Sequence, residues 1–176
     1  MDAQVLQAIQ DYISYVAANS SALRNAGAKG VVSAAQTYLR QLRLEDFGVQ
    51  SEPEFRSVLD RHTDRLRCTF PPRARDNWGA SRKVLNIFLR DALYHRLLCE
   101  HYRLYQLESW LEVPLDEHVA SHLKKHSTPE LSWFGICRVT LELNAAYQKR
   151  AGEAAGEKPR IWCDYFWWRN QLRSKE

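Results

Sequence analysis

Apolar residues recur at helical spacing along almost the whole chain, and this periodicity is what most constrains the fold. Four runs carry the pattern: Val5, Leu6, Ile9, Ile13 and Val16; Val32, Ala35, Tyr38, Leu39 and Leu42; Phe55, Val58, Leu59 and Leu66; and Leu85, Phe88, Leu89, Ala92, Leu93 and Leu97. This spacing places apolar side chains on one face of an α-helix, whereas a half-buried strand alternates apolar with polar residues. No segment alternates in that way. The sequence therefore predicts an all-α fold of about seven helices, the last from residue 159 to 172.

Helix-breaking residues separate these runs without dividing the chain into domains. Loops are predicted over residues 19–30, at the Pro71–Pro72 turn and over residues 151–159. Pro53 predicts the first turn of one helix, and Thr128-Pro129-Glu130 predicts the start of another through a cap, a first-turn proline and a favourable N-terminal charge. A chain of 176 residues is long enough to bury about two thirds of its unfolded surface in one core. We expect one compact domain over residues 1–176.

Several classes of protein are disfavoured by what the sequence lacks. Its four cysteines stand far apart with no C-x-x-C pair, which argues against an iron–sulfur cluster or a local zinc site. The first residues show no secretory pattern, and no run approaches the roughly 20 apolar residues of a membrane span. We expect an intracellular, cytoplasmic protein with no cofactor or metal and no membrane partner, associated with the nucleoid if the host is a prokaryote.

Positive charge is concentrated in the middle of the chain. The net charge is +4, but residues 61–103 contain nine arginines and one lysine against four acidic residues, which gives this stretch +6. Such a stretch suits the phosphate backbone of a nucleic acid, because each neutralised phosphate releases condensed counterions. A solvated helix face is the alternative interpretation.

Lys83 and Asp116 each stand where a helix is predicted to begin, and the two side chains can face one pocket. An amine beside a carboxylate suits an enzyme that forms an imine with a sugar carbon while the carboxylate stabilises the developing positive charge. Two structural roles remain open. Lys83 can be an exposed residue of an arginine-rich first turn, and Asp116 can cap the helix that follows it.

Two short motifs carry a resemblance to a known family. Gly79-Ala80-Ser81-Arg82-Lys83-Val84-Leu85-Asn86 resembles the second half of the helix-hairpin-helix motif of endonuclease III-type DNA glycosylases, G-V-G-R-K-T-A-N, with Ser81 at its second glycine and Trp78 at its proline. Pro114-Leu115-Asp116-Glu117-His118-Val119 is similar to the family's V-D-T-H-V. The resemblance implies that Lys83 is the nucleophile and Asp116 the assisting carboxylate. It places the hairpin and its following helix at residues 66–98 and the aspartate-bearing loop and helix at residues 114–126.

The resemblance also implies a DNA interface and a cleft between two helical lobes. In the family the hairpin amides hold a DNA phosphate, which assigns Gly79 and Ser81 to DNA binding. The side chains of Arg73, Arg75 and Arg82 are predicted phosphate contacts, since their charge lies beside the reactive amine.

The 32 residues between Lys83 and Asp116 exceed the loop usual in endonuclease III and resemble the long insertion of the archaeal-type 8-oxoguanine DNA glycosylases. That branch carries an aspartate and a tryptophan one helical turn apart in its base pocket, a spacing that Asp164 and Trp168 share. Trp133 and Phe134 are further candidates for stacking on a flipped base. The alternative for all these aromatic residues is burial in the core.

His118, His122 and His126 repeat every fourth residue. Their first pair has metal-binding spacing, but solvated or DNA-facing histidines explain the repeat without a metal.

The resemblance implies a monomeric DNA glycosylase that removes a damaged base from duplex DNA through a lysine Schiff base with associated AP lyase activity. An oxidised purine such as 8-oxoguanine is the expected target. Two alternatives remain: a helical nucleic-acid-binding module without chemistry, and a protein–protein adaptor that uses the aromatic C-terminal segment as its interface.

Overall fold

The computed structural model describes residues 2–24, 26–124 and 131–173, with side chains described as far as Trp167. Within these residues there are nine α-helices, four short 3-10 helices and no strand. The α-helices are α1 (Ala3–Ala17), α2 (Val31–Arg40), α3 (Glu52–Thr69), α4 (Trp78–Tyr94), α5 (Arg96–Tyr102), α6 (Leu107–Trp110), α7 (Glu117–Lys124), α8 (Leu141–Ala155) and α9 (Trp162–Arg173). The predicted all-α, single compact domain is confirmed. None of the described helices is long and apolar enough to cross a membrane.

Side-chain caps fix the starts of several helices, among them α1, α3, α4 and α8. Asp2 accepts a hydrogen bond from the Gln4 amide, and Asn77 accepts one from the Ala80 amide. Ser51 caps α3, and Thr140 caps α8. Each cap satisfies an amide that the helix leaves unpaired and contributes about 1 kcal/mol. The prediction that Pro53 lies in a first helical turn is confirmed, because α3 begins at Glu52.

The apolar side chains form two buried clusters. The larger cluster surrounds α4, whose Val84, Leu85, Phe88, Leu89 and Ala92 are fully buried against α1 and α3. The smaller cluster lies among α7, α8 and α9. Its members are Val113, Leu115, Val119, Ala120, Leu123, Val139, Tyr147, Ala151 and Cys163. The helices therefore pack as two lobes, one around each cluster.

One predicted boundary differs from the structure, and another is not tested by it. The loop predicted from residue 151 does not begin there, because α8 continues through Gly152 to Ala155. A glycine inside a helix is unfavourable by about 1 kcal/mol, but Tyr147 and Ala151 on the same helix are fully buried, and their packing outweighs it. The predicted helix start at Thr128-Pro129-Glu130 lies outside the described residues, and residues 131–135 that follow are not helical.

A buried carboxylate joins the two lobes. Glu112, 2% exposed, accepts hydrogen bonds from Arg82 Nε at 2.9 Å and Asn86 Nδ2 at 3.2 Å, both on α4, and from Asn144 Nδ2 of α8 at 3.0 Å. Arg82 also pairs with Asp60 of α3. A buried ion pair is tolerated when its remaining hydrogen-bonding capacity is filled in this way.

A chain of three hydrogen-bonded side chains connects α2, α3 and the 3-10 helix Leu44–Phe47. Tyr38 Oη lies 2.7 Å from His62 Nδ1, and His62 Nε2 lies 3.1 Å from Asp46 Oδ2. The carboxylate only accepts, so Nε2 of the neutral ring carries the proton and Tyr38 donates to Nδ1. Burial lowers the pKa of His62 and raises the pKa of Tyr38 to about 12.

These two pKa shifts predict loss of stability at both ends of the pH range. Below about pH 6.5 the unfolded chain protonates its histidine while folded His62 resists, so the unfolded state binds more protons and stability falls with falling pH. Above about pH 10 the unfolded tyrosine ionises first, so stability falls with rising pH. Urea unfolding of wild type and Tyr38→Phe at pH 8 and pH 11 isolates the alkaline contribution. Between pH 8 and pH 11 the unfolding free energy of the wild type should fall by more than that of Tyr38→Phe. Equal falls in the two proteins would contradict the prediction.

Candidate active site

The two predicted catalytic side chains lie close together. Lys83 Nζ is 3.5 Å from Asp116 Oδ2, and the side chains are 11% and 25% exposed. Lys83 projects from the second turn of α4, in the larger lobe, and Asp116 precedes α7, in the smaller one. The proximity predicted for this pair is confirmed, and the pair bridges the cleft between the lobes.

The two oxygens of the Asp116 carboxylate have different partners. Oδ1 accepts a hydrogen bond from the Val119 amide at 2.9 Å and caps α7, whereas Oδ2 faces Lys83. Capping fixes the rotamer of the side chain, so the position of the second oxygen is set by the first turn of α7. The capping role predicted as an alternative is therefore present together with the pairing to Lys83.

A cavity of about 1050 Å³ opens beside the pair. Lys83, Ile87 and Arg90 line it from one face of α4, since they lie four and three residues apart. Its other walls are the α1–α2 loop, the residues around the start of α7, residues 133–137 and Asp164. Its volume is at the upper end of the range for small-molecule sites, so it has room for an extruded nucleotide.

Asp164 is buried at the wall of this cavity. It is 5% exposed and forms an ion pair with Arg90, which also pairs with Asp91. Burial raises the pKa of Asp164, the Arg90 guanidinium opposes that rise, and the nearby negative charge of Asp116 adds to it. Asp164 therefore lines the same cavity as Lys83, and its contact with a base stays a prediction.

The predicted aromatic residues have different surroundings. Trp133 lines the cavity, with its ring edge-on to Tyr147 at 5.9 Å. Phe134 also lines it and is 75% exposed. The side chain of Trp168 lies outside the described residues. Its neighbour Trp167 stacks on His122 at a centroid distance of 5.6 Å.

Three of the predicted DNA contacts are wrong. A Cβ at Gly79 would lie 2.3 Å from the Ile136 carbonyl oxygen, because the 3-10 helix Ile136–Arg138 covers the first turn of α4. Ser81 is fully buried, and its hydroxyl donates to the Thr63 carbonyl at 2.7 Å. Arg82 is 3% exposed because it belongs to the buried network of Glu112. None of the three is accessible to a phosphate.

Arg73 and Arg75 are exposed on the loop between α3 and α4. Their DNA contacts remain predictions.

The histidine repeat is explained in part by packing. His118 Nε2 lies 3.1 Å from the Trp167 carbonyl oxygen, and the rings of His118 and His122 meet edge-on at 4.8 Å. His126 lies outside the described residues. Across residues 2–24, 26–124 and 131–173, no three His, Cys, Asp or Glu side chains are grouped so that they would hold a metal ion.

Arg90, Ile87 and the α1–α2 loop were not among the predicted site residues. Helical spacing from Lys83 was a signal that would have identified the first two, whereas the loop carries no motif. Comparison of the chain with models of known protein families, with curated proteins and with solved structures gives no match.

Proposed function

We propose that this protein is a DNA glycosylase that removes a damaged or modified base from duplex DNA through a Schiff base on Lys83, with associated AP lyase activity. One observation carries the proposal: Lys83 Nζ and Asp116 Oδ2 lie 3.5 Å apart at the edge of a cavity of about 1050 Å³. A nucleophilic amine and an acceptor-only carboxylate are the two groups that this chemistry requires.

The reaction proceeds in steps that these two residues serve. Attack requires the neutral amine, so Lys83 first loses a proton to water in the open cavity. Its lone pair then forms a bond to C1′ of the sugar, while the glycosidic C1′–N bond breaks and the base leaves with that electron pair and a proton from water. The ionised Asp116 stabilises the positive charge that develops on the sugar ring. The nitrogen of the adduct then loses a proton to water, and its lone pair forms the C1′=N double bond while the C1′–O4′ bond breaks and O4′ takes a proton from water. The opened sugar is thereby joined to Lys83 as a protonated imine.

Strand cleavage follows from the imine. Loss of a proton from C2′ supplies the electron pair that forms the C2′–C3′ double bond, and the 3′ phosphate departs. Hydrolysis of the imine then restores Lys83. The imine withdraws electrons from C2′, which is why covalent attachment makes this elimination possible.

The cavity offers contacts for a base taken out of the duplex. Base excision requires an extruded nucleotide, held by stacking and by polar groups that read its edge. Trp133 supplies an aromatic surface, and the Arg90–Asp164 pair supplies donors and acceptors. Through the resemblance, an oxidised purine such as 8-oxoguanine is the first candidate substrate.

Borohydride trapping on a panel of duplexes tests the proposal. The wild-type protein is incubated with duplexes containing 8-oxoguanine, uracil, an alkylated purine, an oxidised pyrimidine or an abasic site, with and without borohydride. We expect a covalent protein–DNA adduct with at least one lesion duplex and with the abasic duplex, since borohydride reduces the imine to a stable amine. Absence of both adduct and released base on every duplex would overturn the proposal.

A helical nucleic-acid-binding module without chemistry is the second candidate. The exposed Arg73 and Arg75 favour it, because they suit phosphate contacts whether or not a base is removed. It predicts salt-sensitive DNA binding with neither adduct nor released base.

A further inference from the structure

Five exposed cations surround the covered first turn of α4. They come from three segments that are distant in sequence: Arg24 and Lys29 from the α1–α2 loop, Arg73 and Arg75 from the α3–α4 loop, and Arg138 from the 3-10 helix Ile136–Arg138. We propose that these five residues, the three-loop basic patch, bind the phosphate backbone of duplex DNA beside the cavity. This inference rests on the proposed function and assigns to the N-terminal part of the chain a role in holding the substrate.

One side chain joins the three segments. Asn77, which caps α4 and is 4% exposed, donates through Nδ2 to the Ala26 carbonyl oxygen at 3.0 Å and to Cys137 Sγ at 3.1 Å. The α1–α2 loop also touches the α3–α4 loop, since a Cβ at Gly27 would lie 3.7 Å from the Arg73 carbonyl oxygen. The five cations therefore belong to adjoining parts of one surface.

The charge of this surface is largely uncompensated. Residues 24–30, 71–76 and 135–138 contain the five cations and one acidic residue, Asp76. Among the described residues, none of the ion pairs involves a member of the patch. Several like charges spread over three loops suit a polyanion better than a single small anion, because each phosphate neutralised releases counterions.

The patch supplies phosphate contacts that the start of α4 cannot make. The Asn77 side chain occupies the Ala80 amide, and the Ile136 carbonyl oxygen approaches Gly79, so the start of α4 is closed to a ligand. Side-chain cations must then hold the backbone. Arg24 and Cys137 also line the cavity, so a strand bound to the patch passes the mouth of the cavity that contains Lys83.

The dependence of DNA affinity on salt tests the patch. We would measure binding of an undamaged fluorescent duplex by anisotropy between 50 and 200 mM salt for wild type, Arg24→Ala, Lys29→Ala, Arg138→Ala and the triple variant. Each lost phosphate contact should lower the slope of log affinity against log salt by about 0.9, and the triple substitution by about 2.7. Arg40→Ala is the control, since Arg40 is exposed at the opposite end of α2 from the patch and should leave the slope unchanged.

The results separate failure of the patch from failure of the proposed function. An unchanged slope in the triple variant, with normal trapping by wild type, overturns the patch and leaves the glycosylase proposal standing. A reduced slope in a wild-type protein that traps no lesion supports the patch and overturns the chemistry. Equal, patch-dependent binding to vesicles of anionic lipid would overturn the assignment to DNA. Thermal unfolding of each variant checks the fold, which should not change because all three side chains are exposed.

Discussion

Replacing Lys83 with glutamine is expected to reduce the borohydride-trapped adduct to background. Among the residues known to line the cavity, Lys83 is the one lysine, and its Nζ faces the carboxylate of Asp116. Glutamine keeps the polarity and most of the length of the side chain but has no amine that can form an imine. The measurement is the yield of reduced covalent adduct on the best substrate of the lesion panel.

A second lysine substitution makes this result specific. Lys149 is exposed on α8 and does not line the cavity, so Lys149→Gln removes the same chemical group elsewhere and should give the wild-type yield of adduct. DNA affinity should survive in both variants, since Lys83 is absent from the three-loop basic patch. A persistent adduct in Lys83→Gln would show that another amine reacts, and it would overturn the assignment of the nucleophile.

The pairing of Lys83 with Asp116 was predictable because both residues are placed by local signals. Each lies near the start of a helix, and a helix start is readable from a capping residue, a proline or the first apolar residue of a stripe. The side chain of Asp116 is held by its own helix, through the bond from Val119. Local sequence signals therefore predict that each group lies near a helix start. Only the packing of α4 against the smaller lobe depends on the tertiary structure.

The burial of Arg82 was not predictable in the same way. It stands beside Lys83 in a basic part of the chain, which suggested an exposed position, but its partners are Glu112 and Asp60, which lie 30 and 22 residues away. A buried arginine requires hydrogen-bond acceptors, and no local sequence pattern predicts acceptors that lie so far away along the chain. Gly79 has the same difficulty, because the segment that covers it begins 57 residues later, at Ile136.

The walls of the cavity include one part that the sequence could predict and one part that it could not. Arg90 follows Lys83 by two helical turns, so helical spacing alone puts both on one face of α4. The α1–α2 loop is held at the cavity by its contacts with Asn77 and with the α3–α4 loop, which are tertiary contacts. Because the loop carries no strong motif, the sequence does not indicate that it lies beside the cavity. The role of Arg24 and Lys29 was inferred only from the folded chain.

Asp116→Asn should lower the rate of base release by roughly 10²–10³-fold while leaving the protein folded and able to bind DNA. Asparagine is as good a helix cap as aspartate, so its side-chain oxygen still accepts from the Val119 amide and α7 keeps its start. What the variant loses is the negative charge 3.5 Å from Lys83 Nζ. Both side chains line the open cavity, so water can solvate Lys83 once its partner is neutral, and the unfolding free energy should change little. Single-turnover rates and denaturant unfolding on the same preparation measure both quantities.

Two further substitutions separate the charge of Asp116 from its capping. Asp116→Ala removes both, so it should match the rate loss of Asp116→Asn and in addition lower the unfolding free energy by about 1 kcal/mol. The hydroxyl of Thr140 caps α8 by accepting a hydrogen bond from the Leu143 amide. Thr140→Ala removes this cap, so it should lower stability by a similar amount with no change in rate. If Asp116→Asn instead retains the wild-type rate per folded molecule, the carboxylate acts on structure alone, because asparagine keeps the cap but lacks the negative charge.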